Sequence, residues 1–72
     1  MSGTLPALRA TQVLAGLRCN GFDPIRQSGS HVVVKHPDGR WTTGPLHKGR
    51  DLPKGTLRQI MRDTGLIIQD LT

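Results

Sequence analysis

The sequence predicts an α+β domain with the order α-β-β-β-α, in which both helices cover one face of a three-stranded antiparallel sheet. Three observations support this prediction: helical spacing of apolar residues near both ends of the chain, a run of valines at 32–34, and glycine-containing turns on both sides of that run. Two amphipathic helices need an apolar sheet face to pack on, and a three-stranded meander supplies one. We assign residues 8–72 to this single domain and residues 1–7 to a flexible N-terminal tail.

Both helices are predicted from the positions of their apolar residues. In the first, over residues 9–20, these positions follow the spacing i, i+3, i+4, i+7 and are Ala10, Val13, Leu14 and Leu17. Gly21 follows as a left-handed end of that helix. The second helix begins near Pro53 and stops at Gly65, and its inward positions are Leu57, Ile60, Met61 and Thr64. Residues 66–71 form either a last turn or a short strand.

Three strands are predicted between the helices, at residues 23–27, 31–36 and 40–43. The second is the clearest, because three β-branched residues follow one another in it. The first contains Pro24, which suits an edge strand or a strand start. A Pro-Asp-Gly turn separates the second strand from the third, and a Gly-Pro pair ends the third at residue 43.

Alternation along the second strand assigns its residues to two faces. Val32 and Val34 point to one side, which we expect the helices to cover, and His31 and Lys35 point to the other. The uncovered face should therefore present a histidine and a lysine together, with Arg26 of the first strand beside them. A histidine near cations suits phosphate chemistry, because imidazole can both take and give a proton near neutral pH.

The charge of the chain indicates a polyanionic partner. Ten Lys and Arg residues against five Asp and Glu give a net charge of +5, which favours nucleic acid, an anionic membrane surface or an acidic protein. A single cysteine, Cys19, forbids an internal disulfide and fits a reducing compartment. No apolar run approaches the roughly 18 residues of a membrane span. We therefore expect a cytoplasmic protein that does not use a membrane as its partner.

The three histidines have different expected roles. They lie at positions 31, 36 and 47, and their spacings of five and eleven residues match no pattern of metal ligands, so we expect no metal and no cofactor. His36 precedes the Pro-Asp-Gly turn and is expected to be a turn or packing residue. His47 lies in a basic loop at residues 46–52 and is a candidate for a second proton-transfer group.

The second helix carries a stripe of cations opposite to its apolar residues. Lys54, Arg58 and Arg62 follow one another at i, i+4 and i+8. Such a stripe is often only a solvated helix face. Lys54, however, lies in the first turn, where the helix dipole and the free amides favour an anion. It is therefore part of a candidate phosphate-binding site.

Five short blocks stand in an order and spacing that is far more specific than any one of them. They are Gly-Phe at 21–22, Arg-Gln-Ser-Gly-Ser-His at 26–31, His-Pro-Asp-Gly-Arg at 36–40, Pro-Leu-His at 45–47 and Leu-Pro-Lys-Gly-Thr-Leu at 52–57. In this arrangement the chain resembles the HicA toxin family, the mRNA-cleaving members of HicA–HicB toxin–antitoxin pairs, over about residues 8–66. Gly44 departs from the family pattern, because an apolar strand residue is expected there.

The resemblance implies a fold similar to double-stranded-RNA-binding domains and a metal-independent endoribonuclease toxin of a prokaryotic cell. It implies that His31, which matches the family's Gly-Ser-His, is the catalytic residue. It also implies a HicB-type antitoxin as protein partner, which we expect to cover His31. We expect RNA to be bound by cations of the uncovered sheet face, the basic loop and the second helix, and by one serine in a turn. These residues are Arg26, Ser30, Lys35, Lys48, Lys54 and Arg58.

Two other function classes fit the same residues. A non-catalytic RNA-binding module would use the stripe Lys54, Arg58 and Arg62, with His31 as a bystander. An interaction protein would use its basic surface to dock an acidic partner. Cleavage that is lost in His31→Ala while binding is kept would separate the enzyme from the module.

Overall fold

The fold is described for residues 7–45 and 50–72 of a computed structural model. Along the chain it contains helix α1 (Ala10–Cys19), strands β1 (Asp23–Ser28), β2 (His31–Lys35) and β3 (Trp41–Pro45), helix α2 (Lys54–Thr64) and a 3₁₀ turn at Ile68–Asp70. The strands form one antiparallel sheet in the order β1-β2-β3. The predicted α+β class and element order are confirmed. The predicted tail at residues 1–7 lies outside the described residues except for Ala7.

Two tight turns fold the strands into a meander. Gly29 and Ser30 connect β1 to β2, since Ser28 pairs with His31. Only the first of these two turn residues has a positive φ, +59° at Gly29, which is the pattern of a type II′ hairpin turn. The turn between β2 and β3 is closed by a backbone hydrogen bond from Gly39 to the carbonyl of His36, at 2.9 Å, and Gly39 has a φ of +102°.

One apolar cluster joins both helices to the same face of the sheet. It contains Val32 and Val34 of β2, as the alternation predicted, together with side chains of both helices and of the connections. Its buried members are Leu8, Ala10, Val13, Leu17, Phe22, Val32, Val34, Leu52, Leu57, Ile60 and Leu71. Because these apolar side chains lie on one side of the sheet, the opposite sheet face carries no helix formed by residues 7–45 and 50–72.

Strand β3 continues for two residues beyond its predicted end at residue 43. Gly44 pairs with Val32 and therefore lies on the helix-covered face, where a Cβ would stand 3.3 Å from Cδ1 of Ile60. A glycine at this position lets α2 approach the strand closely, which explains the departure from the family pattern. Pro45 is tolerated because β3 is an edge strand, whose outer amides need no partner strand.

The segment after α2 forms a turn that packs across α1. Leu71 is buried, with 1% of its surface exposed, and its Cα would lie 2.8 Å from a Cβ built at Gly16. The side-chain amide of Asn20 donates to the carbonyl of Asp70, at 3.0 Å, and fixes the turn against the end of α1. Of the two alternatives for residues 66–71, the structure therefore contains the turn rather than the strand.

The segments that lead into the two helices pair with each other. Arg9 and Asp51 form an antiparallel β-bridge, and the amide of Leu52 donates to the carbonyl of Leu8 at 2.7 Å. The amide of Ala10 completes the pairing by donating to the carbonyl of Arg50, at 3.2 Å. This contact holds the first turns of α1 and α2 near each other, and the sequence did not predict it.

Candidate nucleic-acid interface

The face of the sheet without helices is defined by the strand register. His31 pairs with Ser28 on one side and with Pro45 on the other. Partners that stand opposite each other across two strands project to the same face. His31 therefore lies at one end of the open face, between a hydroxyl side chain and a proline ring.

Two further rows complete the open face. Val33 stands between Arg26 and Thr43, and Lys35 stands between Asp23 and Trp41. The prediction that His31, Lys35 and Arg26 share this face is confirmed by the register. The three rows centred on His31, Val33 and Lys35 form the open face.

His31 is positioned by the backbone rather than by its side chain. It is the first residue of β2, directly after the two-residue turn, and it is exposed. In residues 7–45 and 50–72, no hydrogen bond or ion pair engages its imidazole ring. The paired strand fixes the Cα of His31, and within the described part of the chain both ring nitrogens are available to a ligand.

Arg26 is the cation of the open face that is nearest to His31 in the strand register. It stands two residues from Ser28, the direct partner of His31, so its Cα is a diagonal neighbour at about 7–8 Å. Lys35 lies four residues along β2 from His31, which corresponds to about 13 Å. Asp23 stands opposite Lys35 and reduces the positive charge there. Arg26 is therefore closer than Lys35 to a phosphate bound beside His31.

A bulge in β1 decides which residues of that strand face the helices. The register shifts between Pro24 and Arg26, so that Ile25 is the extra residue and Pro24 stands opposite Val34. Without the shift Ile25 would oppose Val34 on the covered face. It is instead 59% exposed, and every other residue of β1 is exposed as well.

The cation stripe of α2 lies on another side of the molecule. Lys54, Arg58 and Arg62 are exposed, whereas Leu57 and Ile60 of the same helix are buried. The helix packs on the covered side of the sheet, so its solvent face and the open face do not form one flat surface. The predicted stripe is present as an exposed row.

The direction of α2 brings one end of the stripe toward His31. The side chain of Asp63 accepts a hydrogen bond from Thr42 at 3.0 Å, and Gln59 donates to the carbonyl of Thr43 at 3.4 Å. The helix thus runs antiparallel to β3, and its first residue, Lys54, lies toward Pro45, the cross-strand partner of His31. Lys48, which we predicted to contact RNA, and His47, the candidate for the second proton transfer, lie outside the described residues.

His36 and Phe22 form a packing contact at the base of the sheet. The imidazole of His36 is half-buried and lies 5.1 Å from the Phe22 ring, centroid to centroid. Its Nδ1 is 3.0 Å from both the amide nitrogen and Oδ1 of Asp38. Nδ1 accepts from the amide when it carries no hydrogen and donates to the carboxylate when it carries one, so a single state of the ring makes only one of the two contacts. This placement agrees with the predicted turn or packing role.

Arg40 connects the β2–β3 turn to the end of α2, a role that the sequence did not reveal. Its Nε donates to Oδ2 of Asp38 at 2.7 Å, its Nη1 donates to the carbonyl of Thr64, and its guanidinium lies 5.2 Å from the Phe22 ring centroid. The Arg40 backbone amide, which donates to Asp38 at 2.9 Å, lowers the pKa of that carboxyl, and the guanidinium adds to the effect. Burial opposes this decrease in the pKa and is the second-largest effect, after the backbone hydrogen bond.

The described residues contain no group of three or more His, Cys, Asp or Glu side chains that could hold a metal ion. Among the same residues, no helix has the length and apolar character that crossing a bilayer requires.

Comparison with known proteins identifies the family. A family model described as the HicA toxin of bacterial toxin-antitoxin systems matches residues 10–66. The search of curated proteins found no match. The matched region runs from the first residue of α1 past the end of α2 and so includes the whole sheet and its open face. This protein belongs to the HicA toxin family of bacterial toxin–antitoxin systems.

Proposed function

We propose that this toxin is a metal-independent endoribonuclease that cleaves mRNA with His31 as general acid or base. The observation that carries the proposal is the position of His31: an exposed imidazole on a paired strand, at the end of the open face, with Arg26 as a diagonal neighbour. Family membership supports the same reading. We place this activity in residues 8–72.

The reaction needs two proton transfers and stabilisation of negative charge on the phosphate, of which His31 and Arg26 can supply one transfer and the stabilisation. A base takes the proton of a ribose 2′-hydroxyl, the 2′-oxygen attacks the adjacent phosphorus, and the bond from phosphorus to the 5′-oxygen breaks as that oxygen is protonated. His31 performs one of the two proton transfers, which is worth about 10²–10⁴-fold in rate. Arg26 stabilises the negative charge on the phosphate oxygens. The products are a 2′,3′-cyclic phosphate and a 5′-hydroxyl.

The second proton transfer requires another group. His47 follows Pro45, the strand partner of His31, by two residues in the sequence, and we propose it for this role. A His47→Ala variant that cleaves at the parental rate would remove it from the mechanism.

RNA binding outside the reacting phosphate uses the remaining cations. We propose that Ser30 and Lys35 contact the strand on the open face, and that Lys48, Lys54 and Arg58 contact phosphates toward the start of α2. The antiparallel packing of α2 on β3 supports this path, because it brings Lys54 to the same end of the sheet as His31. Backbone contacts of this kind read the shape of RNA rather than its sequence.

The protein partner in this proposal is a HicB-type antitoxin. We propose that it covers His31 and the adjacent cations of the open face in the cytoplasm of a prokaryotic cell, and that it inhibits cleavage by excluding RNA. If an antitoxin complex left His31 accessible and cleavage intact, occlusion would not be the mechanism of inhibition.

A non-catalytic RNA-binding module is the second candidate function. The observation in its favour is that, within the described part of the chain, no side chain orients the His31 ring. In that case the stripe Lys54, Arg58 and Arg62 would provide the binding energy.

The first experiment is incubation of the purified chain with single-stranded RNA in EDTA, followed by analysis of the product ends. We expect cleavage with 2′,3′-cyclic phosphate ends by the parent and none by His31→Ala, with RNA binding retained. His36→Gln is the matched control, because this histidine packs on Phe22 away from the open face. Cleavage by His31→Ala, or 5′-phosphate ends, would refute the mechanism, and absence of cleavage by the parent would favour the binding module.

A further inference from the structure

A cleft at the outer edge of β3 has the composition of a nucleobase site. It has a volume of about 350 Å³ and is lined by Gly39, Arg40, Trp41 and Asp63. This volume lies within the range of about 300–1,000 Å³ that is typical of small-molecule sites. Trp41 belongs to the open face as the strand partner of Lys35, so the cleft adjoins that face.

Trp41 is the apolar surface of this cleft. Its side chain is 56% exposed, and it stands opposite Lys35 at the corner where the open face meets the outer edge of β3. The indole does not belong to the apolar core cluster, and its flat face can stack on any base of a single strand. Arg40 is held by Asp38 and the Thr64 carbonyl and forms a fixed wall beside it.

Asp63 supplies a hydrogen-bond acceptor in the same cleft. Its Oδ2 accepts from the Thr42 hydroxyl at 3.0 Å and from the Gln59 amide at 3.4 Å. In the described part of the chain, no hydrogen bond reaches its other oxygen, Oδ1. An ionised carboxylate accepts but cannot donate, so it pairs with the amino group of cytosine, adenine or guanine, as in aspartate contacts to N4 of cytosine. Uracil has a carbonyl oxygen in place of that amino group.

We propose that the cleft of Trp41 and Asp63 binds one unpaired nucleobase of the RNA and prefers an amino-bearing base to uracil. The inference rests on the proposed function only for its ligand, RNA. Trp41 is four residues along the sheet and one strand across from His31, a separation of about 14 Å. This distance corresponds to about four stacked nucleotides, and to fewer in an extended strand. The site would thus select the base at a fixed distance from the cleaved bond.

The test uses the fact that Trp41 is the only tryptophan of the chain, so its fluorescence reports directly on the cleft. The probes are 2′-O-methylated oligocytidine and oligouridine of equal length, which lack the reacting hydroxyl. A dye on each oligonucleotide measures total binding by anisotropy. We expect oligocytidine to change the Trp41 fluorescence and to bind more tightly than oligouridine.

Three variants of the cleft and one control variant determine whether the cleft is responsible. Trp41→Ala should weaken oligocytidine binding by about 5- to 150-fold, the range for loss of one stacked base, and Trp41→Phe should retain most of the affinity. Asp63→Asn should reduce or reverse the preference, since an amide that accepts from Thr42 through its oxygen directs its NH₂ toward O4 of uracil. Ile67→Ala, an equally exposed apolar residue outside the cleft, should bind like the parent.

Binding of oligocytidine without a change in Trp41 fluorescence, or parental affinity in Trp41→Ala, would overturn the inference. Because the probes cannot be cleaved, this result does not depend on catalysis. A chain that shows the base preference but cleaves no RNA would support the cleft and refute the ribonuclease. A chain that cleaves RNA with no role for Trp41 would support the ribonuclease and refute the cleft.

Discussion

Replacement of Leu71 by alanine should cost a large part of the stability of this domain. The side chain is 1% exposed and packs across α1 at Gly16, so the change removes buried methyl groups from the main core. Changes of this kind cost about 2–5 kcal/mol, and we expect about 3 kcal/mol for Leu71→Ala. A domain of this length has a total stability of about 4–11 kcal/mol. For domains of about 60–100 residues, each kcal/mol lowers Tm by about 4–8 °C, so the expected decrease is about 10–25 °C.

Urea and thermal unfolding followed by circular dichroism measure this cost. Ile67→Ala is the matched control, because Ile67 belongs to the same segment and is 59% exposed, and it should change stability by less than about 0.5 kcal/mol. Gly16→Ala should resemble Leu71→Ala, since a Cβ there would stand 2.8 Å from the Cα of Leu71. Equal, small effects of Leu71→Ala and Ile67→Ala would show that the segment after α2 is not part of the core.

The remaining predictions concern the candidate site and the β2–β3 turn. Arg26→Ala should reduce RNA cleavage by about 10²-fold, and Lys35→Ala by less than about 10-fold, because only Arg26 is a diagonal neighbour of His31; equal losses in a single-turnover assay would contradict this ranking. Lys54→Ala should weaken binding to all RNA sequences and lower the slope of log affinity against log salt by about 0.7–0.9, and an unchanged slope would remove Lys54 from the interface. The pKa of Asp38 is lowered below its ordinary value of 3.8, so its contribution to stability is present above that value and is lost as the pH falls through the lowered pKa. The unfolding free energy of Asp38→Asn should therefore be lower than that of the parent near neutral pH, and the difference should disappear in acid. A difference that does not change with pH would show that the charge of Asp38 is not its cause.

The architecture could be predicted from the sequence because local signals agreed with one another. The spacing of Val13 and Leu17 in α1, and of Leu57 and Ile60 in α2, defined the buried faces of both helices correctly. Alternation around Val33 then placed His31 and Lys35 on the open face. These assignments depend on backbone periodicity alone, which a sequence displays directly.

Features that depend on contacts between distant segments could not be predicted. The burial of Leu71 depends on its contact with Gly16 of α1, and nothing in the sequence around residue 71 indicates that contact. The role of Arg40 is set by the Thr64 carbonyl, 24 residues away along the chain. The bulge at Ile25 leaves no composition signal, yet it determines which residues of β1 face the helices.

The exposed edge of β1 has a consequence for how the molecule meets other copies of itself. An edge strand offers unpaired amides and carbonyls to which another chain can add a strand. Here three successive residues oppose such addition: Pro24 lacks an amide hydrogen, Ile25 forms the bulge, and Arg26 brings a charge. Edge-to-edge growth of the sheet into fibres or aggregates is therefore disfavoured at β1, while the open face remains accessible to a specific ligand.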